Sequence, residues 1–251
     1  MLTLIWSFRN RIDVLKQSIE TAHKCCPSSV DFCLVDAASN DESIRELRTF
    51  VNNIPNRNIR VCESAYRTTL PQAWNLGIML SNTRYVAFAS SDVLFLNKNW
   101  YTQLTDSFTK NYEYILIENH AVFGLDKNCI SRLGWFDEKY KNGPHFDTDY
   151  MIRASENNIK FGILPNNSYS HGDSDEESIE RSSSEVENRL PMNTLDNEKY
   201  FKAKWSSNWP GWEDHLNEVH KPHPPTHISQ VSRLLPEINP YPLYENINFR
   251  S

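Results

Sequence analysis

The chain has 251 residues, a formal net charge of −6, and enough hydrophobic (39%) and aromatic (12%) residues for one large domain with a sizeable core. The acidic balance argues against a strongly basic nucleic-acid-binding surface. Only seven glycines occur, and the sequence contains neither the Gly-rich dinucleotide-binding fingerprint nor a P-loop, which excludes both of those phosphate-binding loops.

The cysteines and the first residues predict the compartment. Five cysteines occur at irregular spacing without a CxxC pair, which predicts reduced thiols and a cytoplasmic protein. The apolar stretch at residues 1–6 is too short for the hydrophobic region of a signal peptide. No apolar run long enough for a transmembrane helix follows, so we expect no membrane-spanning segment.

The first half of the chain alternates short apolar runs with amphipathic segments. Strands are predicted at residues 2–6, 32–35, 59–62 and 85–89. Asn10 is predicted to cap the first helix, Ser39-Asn-Asp-Glu42 to form the capping box of the second, and Pro71 to open the third. This alternation predicts an α/β fold with a parallel sheet and helices on both faces.

The second half has a less regular pattern. A helix is predicted around Trp100, Leu104 and Phe108, followed by a strand at 114–117, a helix at 147–156 and a strand at 160–164. Residues 170–188 are polar and acidic and predict a loop, and the Pro- and His-rich residues from 220 onward predict an extended tail.

A carboxylate stands at the C-terminal end of the predicted fourth strand. The apolar run at residues 85–89 leads directly into Ser90, Ser91 and Asp92. In open α/β sheets ligands bind at this edge, and a poorly solvated carboxylate there needs a partner such as a divalent metal. The alternative is that Asp92 only caps the following turn.

Eight short segments follow one another in a defined order. They are Trp6-Ser-Phe-Arg-Asn-Arg11, Leu34-Val-Asp-Ala-Ala-Ser-Asn-Asp41, Gln72-Ala-Trp-Asn-Leu-Gly-Ile78, Phe88-Ala-Ser-Ser-Asp-Val93, Leu133-Gly-Trp-Phe-Asp-Glu138, His145-Phe-Asp-Thr-Asp-Tyr-Met-Ile-Arg153, Ser170-His171 and Tyr200-Phe-x-x-Lys-Trp205. Together they resemble the motifs of a family-2-type glycosyltransferase with the GT-A fold. The resemblance implies a Rossmann-like, mostly parallel central sheet flanked by helices, with an extended C-terminal tail.

The resemblance also implies a division of the chain. A catalytic domain is expected over residues 1–205, with a nucleotide-binding half (1–95) and an acceptor half (96–205), and a C-terminal extension (206–251) is expected to pack on it. Three positions depart from the family pattern: Ser90 replaces the first Asp of the Asp-x-Asp motif, Ala38 replaces a Gly, and Trp74 replaces an Arg. Phosphate charge must then be met elsewhere, with Arg67 as the candidate.

By this resemblance, the donor nucleotide lies at the ends of the first two strands. Besides Asp36, the residues expected to line the donor site are Ser7, Phe8, Arg9, Ser90 and Ser91. Asp36 can accept the imide N–H of uracil or thymine, which favours a UDP- or dTDP-sugar. Asp36 could instead hold the turn at Ser39, and Ser39 itself is predicted to be a helix cap and not a ligand contact.

Metal binding and base catalysis are assigned to four further side chains. Asp92 is the expected first ligand of Mn²⁺ or Mg²⁺, and the resemblance implies His171 as the second, unless it is a loop histidine. The resemblance implies Asp147 as the general base. Asp149, at i+2, cannot share the helix face of Asp147, and we expect it to cap the helix, brace the site or contact the acceptor. Alternatively, both carboxylates only favour a helix N-terminus.

The acceptor side is less defined, and Trp135 is expected to form its wall or else to be a core tryptophan. The sequence thus predicts a metal-dependent transfer of a hexose or pentose from a nucleotide sugar to an acceptor hydroxyl, with inversion. A glycan or another hydroxyl compound is the expected acceptor, and a nucleic acid is disfavoured but left open. The alternatives are a retaining transferase, a degenerate sugar-binding GT-A domain, and a nucleotidyltransferase, which would want a Gly-rich first loop.

Overall fold

A computed structural model describes residues 1–65, 67–141, 144–171 and 194–205 of the chain. Its strands are β1 (Leu2–Phe8), β2 (Asp31–Asp36), β3 (Ile59–Glu63), β4 (Tyr85–Ala89), β5 (Val93–Phe95), β6 (Tyr114–Ile117), β7 (Asn119–Asp126), β8 (Phe161–Leu164) and β9 (Tyr169–His171). Its helices are α1 (Ile12–Cys25), α2 (Asp41–Asn52), α3 (Leu70–Leu80), α4 (Asn99–Thr109), α5 (Ile130–Leu133), α6 (Phe146–Glu156) and α7 (Thr194–Trp205).

In the described part of the chain, seven strands form one sheet in the order β3-β2-β1-β4-β7-β6-β8. β7 runs antiparallel to both of its neighbours, and the other strands of this sheet run parallel to one another. The strands predicted from apolar runs are all present within two residues of their predicted bounds. The predicted α/β architecture with a mostly parallel central sheet is therefore confirmed.

The sequence pattern did not predict β7, although this strand matters for the site. β7 inserts between β4 and β6, and its antiparallel course returns its first residues to the carboxyl end of β4. There the backbone N–H of Ser90 donates to the carbonyl of Ala121 at 2.9 Å. The apolar residues of β7 follow a polar start at Asn119 and His120, which blurs the strand signal.

The core lies on both faces of the sheet. Helices α1, α2 and α4 cover one face, and α3, α6 and α7 cover the other. Alternate residues of β1 serve the two sides, with Leu4 and Trp6 facing the first group of helices and Ile5 facing the second. Gly77 allows α3 to pack very close to β1, since a Cβ at this position would overlap the Ile5 side chain.

Two predicted helix caps are wrong. The N-cap residue of α1 is Arg11, not Asn10, and it makes no side-chain capping hydrogen bond. The N-cap of α2 is Asn40, whose side chain accepts from Ser43 N, so Ser39 lies one residue outside the helix. In both cases the polar side chain instead makes a hydrogen bond between the two loops at the end of the sheet. Local sequence patterns do not encode such contacts between distant segments.

The C-terminal half keeps its predicted helices. α4 contains the predicted apolar positions, and α6 begins one residue before the predicted start. The predicted loop begins as part of β9, and its residues beyond 171, like the predicted extension 206–251, lie outside the described residues. Among the helices that the structure describes, none has both the length and the apolar composition needed to cross a bilayer.

Candidate active site

Two carboxylates lie at the carboxyl edge of the parallel strands. Asp36 is the last residue of β2, and Asp92 follows β4 after Ser90 and Ser91, which are both partly exposed. Because β1, β2 and β4 run parallel, their C-terminal ends meet at one edge of the sheet. This is the edge at which ligands bind in open α/β sheets.

A short antiparallel ribbon brings the two predicted metal ligands together. β5 pairs with β9, and Val93 lies opposite His171 in the register. As a result, Nε2 of His171 lies 3.3 Å from Oδ1 of Asp92. The side chains are 31% exposed for His171 and 21% exposed for Asp92, so an ion at the surface can reach both.

The spacing of this pair suits one divalent metal ion. Two adjacent ligands of an octahedral ion with bonds of about 2.1 Å lie about 3 Å apart, close to the observed separation. Within the described residues, no cluster of three or more His, Cys, Asp or Glu side chains is arranged to hold a metal. The pair would therefore supply two ligands and leave further positions to phosphate oxygens and water.

The electrostatic surroundings of Asp92 favour its charged form. Burial raises the pKa of Asp92, but the hydrogen bond and charge of His171, together with Arg11 at the start of α1, outweigh burial and lower the pKa overall. Asp92 is therefore an ionised carboxylate at neutral pH, as a ligand of a hard cation must be.

A cavity of about 600 Å³ opens beside Asp36, in the size range of small-molecule sites. Its lining carries both signs of charge, with acidic side chains from the ends of β2 and β3 and the start of α2, and basic side chains from α2. The charged residues that line it are Asp36, Asp41, Glu63, Arg45 and Arg48. The cavity lies where the sequence predicts the nucleoside of the donor.

Asp36 itself is buried and already holds the turn that follows β2. Its oxygens accept from Ser39 N at 3.0 and 3.1 Å, and Oδ1 also accepts from the Ser39 hydroxyl at 2.5 Å. Burial raises the pKa of Asp36, and the Ser39 hydrogen bonds oppose that rise. The turn role is therefore present in the structure. An ionised carboxylate offers about four acceptor positions, and although Asp36 is only 2% exposed, it lines the cavity from which a nucleobase N–H would approach.

The loop after β1 is tied to the loop after β2. Asn10 N donates to Ser39 Oγ, Asn40 N donates to Asn10 Oδ1, and Arg9 Nε donates to the carbonyl of Ala38. Ala38, which replaces a family glycine, has φ of 64°. A left-handed backbone costs a residue with a Cβ about 1–2 kcal/mol, so this edge of the sheet holds local strain.

The other predicted donor residues differ in exposure. Phe8 is only 4% exposed and packs in the core, so its side chain supports the loop from below, whereas Ser7 and Arg9 are partly exposed. Desolvation and the charge of Arg9 lower the pKa of Arg67. Both residues carry guanidinium groups, which suit the recognition of phosphate oxygens.

Asp147 lies in the first turn of α6, with 20% of its side chain exposed. Its Oδ1 accepts from Thr148 N at 2.8 Å. Its Oδ2 lies 3.7 Å from Nδ1 of His120, which belongs to β7. Asp147 is therefore a carboxylate that a substrate can reach, as the predicted general base must be.

Asp149 points into the protein interior, and its side chain is fully buried. Four donors surround its carboxylate: Arg153 Nε at 2.9 Å, Lys204 Nζ at 2.6 Å, Trp205 Nε1 at 2.8 Å and the Tyr140 hydroxyl at 3.3 Å. These contacts leave no exposed face for an acceptor. Of the roles predicted for Asp149, they support bracing of the site and argue against acceptor contact.

Helix α7 fastens the segment that precedes α6. Lys204 Nζ also lies 2.6 Å from Asp137 Oδ2. The Asn197 side chain accepts from Lys141 N and donates to the carbonyls of Lys141 and Pro144. The Tyr–Lys–Trp segment noted in the sequence therefore holds α6 and its leading loop in place.

Two tryptophans noted in the sequence analysis, Trp135 and Trp74, pack against the hydrophobic core. Trp135 is half-buried against the core between α3, α6 and α7, and its carbonyl accepts from Arg153 Nη1 at 2.7 Å. Trp74 is 5% exposed and cannot contact a phosphate. Its ring centroid lies 4.9 to 5.4 Å from those of four phenylalanines, Phe88, Phe123, Phe136 and Phe146.

Sequence reasoning missed two polar side chains near the site. Asn75 is fully buried on α3 and exchanges hydrogen bonds with both backbone groups of Phe136 and with Glu138. A lone Asn inside an apolar helix was the available signal. His120 approaches Asp147, and the only local signal was a histidine directly before the apolar run of β7.

Comparison with known families identifies the fold and the activity. The model of the family "Glycosyl transferase family 2" matches residues 3–170, which is more than half of the chain. The chain belongs to this family. The protein is thus a glycosyltransferase, and the predicted site residues lie within the matched region, apart from His171, which directly follows it. None of the curated proteins matches the chain significantly.

Three solved structures show the same fold as this family-2 glycosyltransferase. The mannosyltransferase PcManGT from Pyrobaculum calidifontis, in complex with GDP-Man and Mn²⁺, has a TM-score of 0.60 and 11% identity, covering 82% of this chain and 70% of its own. S. aureus TarS (1–349) with UDP-GlcNAc has a TM-score of 0.55 and 14% identity, covering 80% and 70%. GalNAc-T7 with UDP, GalNAc and Mn²⁺ has a TM-score of 0.56 and 14% identity, covering 87% and 54%. At these identities the likeness is one of fold.

Proposed function

We propose that this glycosyltransferase moves a sugar from a nucleoside diphosphate sugar to an acceptor hydroxyl, with inversion and with Mn²⁺ or Mg²⁺ bound by Asp92 and His171. The observation that carries the proposal is the 3.3 Å approach of these two side chains at the carboxyl edge of the sheet. The similar folds solved with GDP-Man and Mn²⁺, with UDP-GlcNAc, and with UDP and Mn²⁺ support a donor of this class.

The donor binds along the carboxyl edge. The cavity beside Asp36 takes the nucleoside, and Asp36 accepts the imide N–H of uracil or thymine. Ser7 and Arg9 line the ribose side of this site, and Ser90 and Ser91 line the path toward Asp92. The diphosphate lies between the metal ligands and the guanidinium groups of Arg9 and Arg67. A metal held by Asp92 and His171 would supply Lewis-acid stabilisation of the departing diphosphate, which is worth several kcal/mol.

Transfer requires one proton acceptor on the side of the sugar away from the diphosphate. Asp147 removes the proton from the acceptor hydroxyl as that oxygen forms its bond to the anomeric carbon. The bond from the anomeric carbon to the diphosphate oxygen breaks, and its electron pair leaves with the phosphate. Arg9 and Arg67 face the negative charge that develops there, which favours the transition state over the bound donor.

The acceptor side lies near α6 and Trp135. A partly exposed indole can stack on the apolar face of a sugar ring, so a glycan acceptor is the first choice and other hydroxyl compounds come next. The five cysteines are unpaired thiols. The proposal accordingly places the enzyme in a reducing compartment such as the cytoplasm.

A thermal-shift screen of UDP-, dTDP- and GDP-sugars, each with and without Mn²⁺, tests the proposal. A donor present at 100 times its Kd should add about 2.7 kcal/mol to the free energy of unfolding. Absence of stabilisation by every nucleotide sugar would reject the donor class. Stabilisation without release of nucleoside diphosphate, to water or to any acceptor, would instead support the degenerate sugar-binding alternative, for which Ser90 is the motivation.

Replacing Asp92 with Asn is expected to remove most turnover and most Mn²⁺-dependent nucleotide binding. The change keeps the shape of the side chain but removes the only charged metal ligand of the proposed pair, so the loss in turnover should be about 10²-fold or more. Diphosphate release and Mn²⁺ titrations measure both effects. Asp106→Asn, on the exposed face of α4, is the matched control. Undiminished wild-type activity in excess chelator would contradict metal dependence.

Replacing Asp36 with Asn should weaken the binding of the preferred nucleoside diphosphate. The amide can still accept from Ser39, but it loses the charged acceptor for the nucleobase, which costs about 1.5–3 kcal/mol in binding free energy. Titration calorimetry with the free nucleoside diphosphate measures this loss. Ser39→Ala perturbs the same turn and leaves the carboxylate, so it should weaken binding less. Equal affinity in wild type and Asp36→Asn would leave Asp36 only its role in the turn.

A further inference from the structure

His120 lies between the proposed base and a buried tyrosine. Its Nδ1 is 3.7 Å from Oδ2 of Asp147, and its Nε2 is hydrogen-bonded to the Tyr114 hydroxyl of β6. The His120 side chain is only 9% exposed, and the ring of Phe123 packs against it with centroids 5.4 Å apart. Three polar groups from β6, β7 and α6 thus form a line through an otherwise aromatic part of the core.

The protonation states along this line follow from burial. Burial lowers the pKa of His120, against the opposing effect of the Asp147 charge, so the imidazole is neutral at neutral pH. Burial also raises the pKa of Tyr114 far above its ordinary value, so the phenol keeps its proton. A neutral imidazole has one N–H donor and one acceptor nitrogen, and its neighbours decide which nitrogen is which.

Only one tautomer satisfies both neighbours of His120. If Nε2 carried the proton, the lone pair of Nδ1 would face the Asp147 carboxylate, and two acceptors would repel each other. If Nδ1 carries the proton, Nε2 accepts from the Tyr114 hydroxyl and the Nδ1–H dipole points at Oδ2 of Asp147. The Tyr114 hydroxyl can donate or accept, so it is the Asp147 carboxylate that selects the Nδ1–H tautomer, and Tyr114 supports that tautomer by donating its buried O–H to Nε2.

We propose that His120 is a positioning residue for the transfer reaction, with its Nδ1–H, supported by the Tyr114 hydroxyl at Nε2, orienting the Asp147 carboxylate toward the acceptor hydroxyl. The inference rests on the proposed role of Asp147 as the base. Thr148 N donates to Oδ1 at 2.8 Å, and Nδ1 of His120 lies 3.7 Å from Oδ2, so one group faces each oxygen of the carboxylate. A closer approach of about 0.8 Å makes the His120 contact a hydrogen bond, and such bonds commonly shorten when substrate binds.

A second histidine near Asp147 lies at the start of its own helix. His145, the N-cap residue of α6, interacts with Asp147, and burial lowers the pKa of His145. Its ring stacks on Phe201 of α7 with centroids 4.9 Å apart. The imidazole nitrogen that approaches the Asp147 carboxylate is Nδ1 of His120 on β7, with Tyr114 of β6 behind it.

The tautomer can be tested on the intact protein without a donor. Ring ¹⁵N chemical shifts separate the Nδ1–H from the Nε2–H tautomer, and the spectrum of His120→Asn assigns the His120 signals among the eight histidines. We expect the Nδ1–H form in wild type and a shift toward the Nε2–H form in Tyr114→Phe. An Nε2–H tautomer in the wild-type protein would overturn the inference whatever the donor proves to be.

A pair of amide substitutions tests the role in turnover. The amide nitrogen of Asn lies where His Nδ1 lies, and that of Gln lies closer to Nε2, so His120→Asn keeps a donor toward Asp147 and His120→Gln does not. With the nucleotide sugar that stabilises the protein most, kcat should fall by about 10- to 100-fold in His120→Gln and by only a few-fold in His120→Asn. The acidic limb of the kcat–pH profile should move up by about one pH unit in His120→Gln alone. The donor KM should be unchanged in both.

Both substitutions remove the same ring from the core, so similar thermal midpoints in the two variants would show that packing loss does not explain their difference in kcat. Equal kcat values and equal pH profiles in the two variants would overturn the positioning role. Near-normal kcat in Asp147→Asn would instead contradict the base assignment, and the tautomer measurement would still report on the His120 geometry.

Discussion

Asp147→Asn is expected to lower kcat by about 10²- to 10⁴-fold, the range that general base catalysis contributes. The substitution preserves shape, because the amide oxygen can still accept from Thr148 N as Oδ1 does. It removes the proton acceptor, and the acceptor hydroxyl then attacks without a base. Steady-state kinetics with the best donor of the thermal-shift screen measures the effect.

Donor affinity should be nearly unchanged in the same variant, because the groups proposed to hold the diphosphate lie on other elements. Asp13→Asn, an exposed carboxylate in the first turn of α1, is the control for charge removal at a helix start. A normal kcat in Asp147→Asn would reject it as the base. A product of retained anomeric configuration would reject the inverting mechanism and favour a role for Asp147 in orienting substrate.

Asp149→Ala is expected to lower the free energy of unfolding by about 3–5 kcal/mol, as loss of one partner from a buried ion pair does. Asp149 is fully buried, and its two cationic partners are also nearly buried, with Arg153 at 2% and Lys204 at 6% exposure. Without the carboxylate, Arg153 loses the ion pair with Asp149, and of its two ion pairs within the described residues Lys204 retains the one with Asp137. The hydroxyl of Tyr140 and the indole N–H of Trp205 lose their acceptor as well.

Denaturant unfolding measures this loss, and the thermal midpoint should fall by about 6–20 °C at about 2–4 °C per kcal/mol. Asp196→Ala is the matched control, because Asp196 pairs with Lys141 at the exposed surface and its removal should change the midpoint little. An unfolding curve for Asp149→Ala that matches wild type would mean that α7 does not hold α6 through this network in solution.

The two adjacent carboxylates of α6 show how far local sequence reaches. Their i, i+2 spacing determined that they face different ways, and the structure agrees, with Asp147 partly exposed and Asp149 buried. Which of the two would be buried depended on Lys204 and Trp205, more than 50 residues later in the chain. Spacing along a helix encodes direction, but the partners on each side are contributed by distant segments.

The two wrong helix-cap predictions and the unpredicted strand β7 show the same limit of local sequence patterns. Asn10 and Ser39 have the side chains of N-caps, yet they bond to each other's loops across the end of the sheet. β7 is antiparallel among parallel strands, and its place between β4 and β6 depends on pairing with both. His120 gained its neighbours only through that insertion, so no sequence motif could have marked it.

The sequence by itself determined the alternation of strands and helices, the strand-end carboxylates Asp36 and Asp92, and the order of motifs that identifies the family. Each of these follows from residues close together in the chain, where periodicity and side-chain chemistry act directly. Only the tertiary structure decided that β5 and β9 place His171 beside Asp92, that Asp149 is enclosed by α7, and that His120 faces Asp147. Those contacts join segments tens of residues apart, and the burial that sets their protonation exists only once the core has formed.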